Sequence, residues 1–492
     1  MNSVAPVTGN STRLPRVIQG GMGVGISGWE LANAVSRLGE LGVVSGTILE
    51  VVMARRLQLG DPGGHIRRAL DHFPFPAVAK RIVDTYFIEG GKAESQAFKN
   101  VRTFTRTPDL ALQELTVAAN FAEVFLAKEG HDGQVGINYL RKIELPIPCS
   151  LYGAMLAGVD YVIVGAGNPK EIPGLIQRLA RHEPVSLALR VQGVTSADGE
   201  FNIDFNPSDI HRGSPPPISR PAFLAIVASV DLAAGLAAME PPPDGFIVEG
   251  PSAGGHNAPP RGPRRVDDLG QPIYDQRDDV DLDRLRDIGL PFWLAGSAGS
   301  PEGLQQARDA GAIGVQVGTV FAFCAESGLD PDLKRQILAE LMAGTLEVHS
   351  DWRASPTGFP FRIVQVAGTV SDEQVYHRRR RVCDLGALRV PYKTGDDSIG
   401  YRCPAEPLRA YSDIKGGREA NTEGRLCLCN GLLATAGLGQ HRVASDYDEP
   451  ALITAGSDFR GVEALMGRKE SDTEFYTAAD VLEYLRGNRQ PA

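Results

Sequence analysis

Short runs of apolar, often β-branched residues recur along the first two thirds of the chain, most of them ending in Gly or a small polar residue. Eight stand out, at 16–20, 41–46, 135–140, 161–165, 185–191, 245–249, 291–295 and 313–318. Between several of them the apolar positions take helical spacing, as at 28–38, 169–181, 221–239 and 301–310. Continuous apolar strands alternating with helices argue for a parallel sheet covered on its outside. Eight such units predict an α/β fold of the (β/α)8 TIM-barrel type rather than a doubly wound open sheet.

The barrel is expected over 14–345, and two insertions make it longer than the usual ~250 residues. The first, 50–132, holds helical stretches such as 111–128. The second, 193–220, is a Pro/Gly/Asp-rich loop ending in Ser214-Pro215-Pro216-Pro217. Residues 1–13 read as a flexible leader without a signal-peptide pattern. Beyond a helix expected at 330–343, residues 346–492 form an α-rich C-terminal extension, with helical patterns near 430–438 and 478–486.

Composition narrows the function classes. Hydrophobic residues make up 42% and charged residues 22% of the 492, which excludes a wholly disordered chain. The 56 Gly and 34 Pro follow no three-residue period, so the chain is not collagen-like. The net charge of −10 disfavours nucleic acid or an anionic membrane as partner. The run His377-Arg378-Arg379-Arg380-Arg381 is the local exception, and it reads as a solvated face. The apolar stretch 223–239, interrupted by Asp231, suits a buried helix better than a bilayer span. Six cysteines do not make a disulfide framework, so a cytoplasmic protein is expected, with a homodimer as the default assembly.

Chemistry in such a barrel belongs to the loops after the strands. The first run leads into Gln19-Gly20-Gly21-Met22-Gly23-Val24-Gly25, where the backbone can approach a flat ligand or simply turn tightly. The third and fourth lead into Gly136-Ile137-Asn138-Tyr139 and Gly165-Ala166-Gly167-Asn168-Pro169. Asn138 offers a donor and an acceptor to a ligand edge or to loop backbone. The sixth ends in Glu249-Gly250-Pro251-Ser252-Ala253-Gly254-Gly255-His256-Asn257, which sets an imidazole at the barrel mouth as acid, base or anchor. His349 is the next nearest candidate. After the seventh, Gly296-Ser297-Ala298-Gly299-Ser300-Pro301 opens a helix with Ser300 as N-cap, and Gln316-Val317-Gly318-Thr319 closes the eighth. Gly-bearing loops after strands seven and eight favour a phosphate-bearing cofactor over mere compaction. No His/Asp/Glu cluster in the barrel has metal-ligand spacing and no G-x-S-x-G occurs.

Together these motifs resemble the nitronate monooxygenase (2-nitropropane dioxygenase-like) family of FMN-dependent barrels, to which FMN-containing enoyl-acyl carrier protein reductases are related. The resemblance covers about 14–345 and rests on Val17-Ile18-Gln19-Gly20-Gly21-Met22-Gly23, Gly136-Ile137-Asn138, Gly254-Gly255-His256, Leu294-Ala295-Gly296-Ser297 and Gln316-Val317-Gly318-Thr319. It implies FMN held without a covalent bond. Gly21, Met22 and Gly23 would pack beside the isoalloxazine, Asn138 would bond its edge, and Gly254 and Gly255 would lie near it. Gly296, Ser297, Gln316, Gly318 and Thr319 would surround the ribityl phosphate, and His256 would be the catalytic imidazole. The chain departs from the family at Glu249, where Gln is frequent, and at Asn257-Ala258-Pro259-Pro260 after the histidine. Ser355-Pro356-Thr357-Gly358, just past the barrel, is placed to cap its mouth.

The resemblance implies oxidation of an alkyl nitronate or nitroalkane by molecular oxygen. The alternative is an NAD(P)H-dependent reductase of enoyl thioesters, with an acyl carrier protein as partner, and the third reading is a non-catalytic binding barrel. Cys383, Cys403, Cys427 and Cys429 fall close together in the extension and suit either a zinc or iron–sulfur site or, in the absence of C-x-x-C spacing, buried free thiols.

Overall fold

The computed structural model describes residues 13–211, 213–469 and 472–487. Of the expected leader, residues 1–12 lie outside these. Eight parallel strands form the central sheet: β1 Val17–Gln19, β2 Gly42–Ser45, β3 Val135–Leu140, β4 Tyr161–Gly165, β5 Ala222–Val227, β6 Gly245–Glu249, β7 Phe292–Ala295 and β8 Gly314–Val317. They pair in the order β1-β8-β7-β6-β5-β4-β3-β2. A bridge between Ile18 and Leu41 joins the two ends of that order, with the Gln19 N–H 2.9 Å from the Leu41 carbonyl. The ring so formed is the expected (β/α)8 barrel, and helices such as Trp29–Arg37, Ile147–Leu156, Ile172–Leu179 and Pro301–Asp309 cover its outside.

One strand differs from the sequence expectation. The run at 185–191 gives Val185–Ala188, which lies outside the barrel and pairs antiparallel with Asn202–Phe205. Its residues alternate between buried and exposed, the pattern of a strand with one covered face. The fifth barrel strand comes from 221–239, expected as one helix. Ala222–Val227 is a buried strand, and the helix is only Val230–Ala237, capped by Ser229 Oγ accepting from the Leu232 N–H. A short continuous apolar run serves a buried strand and a buried helix alike, so periodicity does not separate them. The bilayer-span candidate within that stretch is divided in the same way. Among the described residues one helix, Leu110–Lys128, is long and apolar enough to cross a membrane, and 78% of its apolar window is buried within the fold.

The barrel interior is filled by Ile18, Leu41, Val43, Ile163, Leu224, Ile247 and Trp293. Trp293 is fully buried, and its indole N–H is satisfied by the Pro15 carbonyl at 2.8 Å. That plug closes the bottom of the barrel, so a ligand can enter only where the strands end.

The extension mixes short helices with short strands and folds over that open end. Its strand Phe361–Gln365 pairs antiparallel both with Glu347–Asp351 and with Gly255–His256 of the loop after β6. A second apolar cluster forms at this junction, joining Ile143 from the loop after β3 to Phe361, Ile363, Leu388, Leu426, Leu428 and Leu452. The helix Ala478–Leu485 returns to pack on Trp29–Arg37, and Arg486 pairs with Glu40 at 3.1 Å.

Candidate active site

Every residue singled out from the strand ends, Gly21, Met22, Gly23, Asn138, Gly254, Gly255, His256, Gly296, Ser297, Gln316, Gly318 and Thr319, lines one cavity of about 250 Å³ at the barrel mouth. The backbone there is shaped for close approach. A Cβ on Gly21 would stand 2.5 Å from the Asn138 Cβ, so only glycine lets the first loop lie against that side chain. Gly296 has φ +96, and non-glycine Ile48, Ala166 and Ser297 in the same wall have φ 47, 58 and 51. Left-handed conformations of this kind cost energy outside glycine and gather at functional sites.

Asn138 is a polar side chain in need of a partner. Its Nδ2 reaches only the Gly21 carbonyl, at 3.4 Å, and its buried Oδ1 accepts nothing. A buried amide oxygen without a hydrogen bond costs about 1–3 kcal/mol, which a ligand donor would offset. At the other end of the cavity Thr319 Oγ1 accepts the Gly456 N–H at 2.9 Å, and Gly255 donates its N–H to Thr454 Oγ1 at 2.8 Å. The extension thus supplies part of the wall.

His256 is half-buried and well positioned. Its Nε2 lies 2.6 Å from Ser355 Oγ, and its ring meets Phe361 edge-on at 4.9 Å. Ser355 is fully buried and is bonded in turn to the Thr357 hydroxyl at 2.8 Å. Burial holds the His256 pKa well below the ordinary 6.5, and the nearby Lys142 ammonium lowers it further. The ring is therefore neutral at physiological pH. Burial also raises Glu249, in the cavity wall, to about 7 against the pull of Lys142. Lys142 is lowered to about 7 by burial, against the pull of Glu249, and its Nζ sits 3.5 Å from the centre of the Phe359 ring. Three groups that titrate at or below neutrality therefore adjoin one cavity.

The charge on the wall is one-sided. Glu249 and Asp458 are its ionisable acids, the latter bound to Arg460 at 2.6 Å, and no Lys or Arg is among the described residues that line it. His349 does not take part: it stands on Glu347–Asp351 beside Glu347, at 3.3 Å. Sequence reasoning missed Lys142, for which no motif signal exists, and the apolar residues Phe361, Leu388, Leu428 and Leu432 from the extension. Ser355 was legible only as part of a capping segment.

Residues 220–357 match the nitronate monooxygenase family. That stretch carries β5 to β8 together with His256, Gly296, Thr319 and Ser355. No curated protein sequence matches the chain. The solved structures it resembles include FabK from Thermotoga maritima, at 16% identity over 73% of this chain and 74% of that one, with a TM-score of 0.38. They also include nitroalkane oxidase from Streptomyces ansochromogenes, at 16% identity, 71% and 76% coverage and a TM-score of 0.37. The enoyl reductase domain of MlnA from the macrolactin biosynthesis cluster of Bacillus amyloliquefaciens follows at 12%, 74% and 68%, and 0.36. At such TM-scores these likenesses carry no argument, and the fold rests on the strand pairing itself.

Proposed function

We propose that this chain is an FMN-dependent oxidoreductase whose substrate enters the cavity uncharged, and that it reduces an enoyl thioester at the expense of NAD(P)H. The observation that carries the substrate choice is the wall: among the described residues no Lys or Arg lines it, its imidazole is neutral, and the extension contributes the apolar residues Phe361, Ala387, Leu388, Leu428 and Leu432 beside Thr454, Gly456 and Asp458. A nitronate anion finds no cation there to offset its desolvation, whereas an acyl chain finds apolar surface worth roughly 0.8 kcal/mol per buried methylene.

The residues present fit FMN. Asn138 would bond the isoalloxazine edge through its unpartnered Oδ1, beside Gly21, Met22, Gly23, Gly254 and Gly255. Gly296, Ser297, Gln316, Gly318 and Thr319 would take the ribityl phosphate through backbone and hydroxyl donors. Bound there, FMN supplies two-electron transfer between nicotinamide and substrate. Neutral His256, oriented by Ser355, would hold the thioester carbonyl by a hydrogen bond, and Glu249, which lines the cavity and keeps its proton up to about 7, would give a proton to the substrate carbon α to that carbonyl.

The second reading is oxidation of a neutral nitroalkane by molecular oxygen, favoured by the family match over residues 220–357. In that reaction His256 would instead take the proton from the carbon bearing the nitro group. The FMN-loaded protein separates the two. Crotonyl-thioester-dependent consumption of NADPH with formation of the butyryl product supports reduction. Nitroethane-dependent oxygen uptake without NADPH supports oxidation and overturns the first reading.

A further inference from the structure

Cys383, Cys403, Cys427 and Cys429 come from three separate segments of the extension, and the fold brings all four to one hollow of about 10 Å³ behind the main cavity. The remaining wall of that hollow is Pro356, Leu385, Gly386, Leu388, Ala405 and Leu428. A space of this size accommodates one atom-sized occupant.

Donors converge on the sulfurs. The backbone N–H of Ala405 faces Cys403, that of Asn430 faces Cys427, and those of Ala387 and Leu388 face Cys429. The Asn430 side-chain Nδ2 also donates to Cys427 Sγ, at 3.5 Å. Cys427 in turn points its own thiol at the Val382 carbonyl, 3.7 Å away, so that sulfur carries a proton in the metal-free fold. Cations surround the group: Arg389 and Lys415 act on Cys383, and Arg381 and Arg425 on Cys403. The neighbouring carboxylates are already engaged, Glu406 by Lys415 at 2.6 Å and Asp384 and Glu449 by Arg442. Arg381 belongs to the basic run of the sequence, of which His377, Arg378 and Arg380 stay exposed as a solvated face while Arg381 turns in to bond the carbonyls of Glu406 and Pro404.

Four free cysteines gathered from three segments around one atom-sized hollow make sense when a metal ion takes the place of the thiol protons. We propose that Cys383, Cys403, Cys427 and Cys429 form a tetrahedral four-thiolate zinc site that fixes the wall of the main cavity. The size of the hollow selects a single ion over a multi-iron cluster. Four ligands without an open position mark a structural site rather than a catalytic one. Among the described residues no three of these groups stand at ligand spacing in the metal-free fold, so the four sulfurs would lose their protons and close to about 2.3 Å from the ion as it binds. Leu388, Leu428 and Cys429 line both spaces, so the ion would hold the surface that faces the substrate.

The test is elemental analysis of the full-length protein after dialysis against a mild chelator, followed by exchange with Co²⁺. The expected result is one zinc per chain, and after exchange the intense sulfur-to-cobalt charge-transfer band with tetrahedral d–d bands. Cys403→Ser should lose most of its zinc. If that variant does not fold, the cobalt spectrum of the native chain decides. Four thiols freely titratable in the native protein with no bound metal would overturn the proposal, as would iron with acid-labile sulfide in place of zinc.

Discussion

His256 Nε2 lies 2.6 Å from Ser355 Oγ, so a side chain of the barrel loop is held by one from the segment that closes the barrel mouth. The imidazole has no comparable restraint within its own loop. Its orientation thus depends on a contact that forms only when the extension folds back over the barrel.

Ser355→Ala removes the hydrogen bond to the ring, together with those to Thr357, and leaves the ring in place against Phe361. A loss of about 1–1.5 kcal/mol corresponds to roughly tenfold in rate. It should appear in kcat, with KM and FMN content unchanged, and Ser355→Thr should restore most of it. His256→Ala should retain FMN and lose nearly all turnover. Steady-state kinetics on flavin-replete proteins check both. Full activity of Ser355→Ala would show that the ring needs no such support.

Asn138 carries an amide oxygen that no group among the described residues satisfies. Asn138→Ala should weaken FMN binding about 10–100-fold, the equivalent of about 1–3 kcal/mol. Quenching of flavin fluorescence measures this directly. Equal affinity would assign that oxygen to something other than the cofactor.

Glu249 keeps its proton up to about 7 in the folded chain, against 4.5 when exposed. Between those values the folded state binds more protons than the unfolded one, so this stability contribution is present below about pH 4.5 and is lost as the pH rises through 7. Lys142 acts in the opposite direction. Its folded value near 7 lies below the ordinary 10.5, and its contribution to stability grows as the pH rises between them. Glu249→Gln should therefore flatten the decline between pH 4.5 and 7 by on the order of 1–3 kcal/mol. Glu50, also raised to about 7 by burial, keeps its share in both proteins, so the difference isolates Glu249. Denaturant titrations across that pH range provide the check, and parallel curves would contradict the assignment.

The ring of motifs was legible in the sequence because each is local. A glycine-rich turn after an apolar run reveals its place at a strand end without knowledge of the rest of the fold. Where a local signal was ambiguous the reading failed: Ala222–Val227 is continuous and apolar, and it suits a helix until the barrel requires a fifth strand. Contacts between distant segments left no sequence signal. Nothing near Lys142 announces Glu249, and nothing near His256 announces Ser355. The four cysteines illustrate the same limit, since their spacing fits no metal motif and only the fold gathers them around one hollow.

The apolar wall makes a further prediction about chain length. If Leu388, Leu428 and Leu432 receive an acyl chain, kcat/KM should rise from four-carbon to eight-carbon enoyl thioesters, by up to about 0.8 kcal/mol per methylene. Leu432→Gln should flatten that rise while leaving the four-carbon substrate little affected. A preference independent of length would remove the wall from substrate binding.

The most direct measurement is an anaerobic mix of the FMN-loaded protein with NADPH, read as loss of oxidised-flavin absorbance and followed by addition of a crotonyl thioester. Rapid bleaching by NADPH and recovery of colour on adding the thioester is the expected result. Bleaching by nitroethane but not by NADPH would transfer the site to nitroalkane oxidation. A protein that takes up no FMN at all would contradict the flavin assignment itself and return the barrel to a binding role.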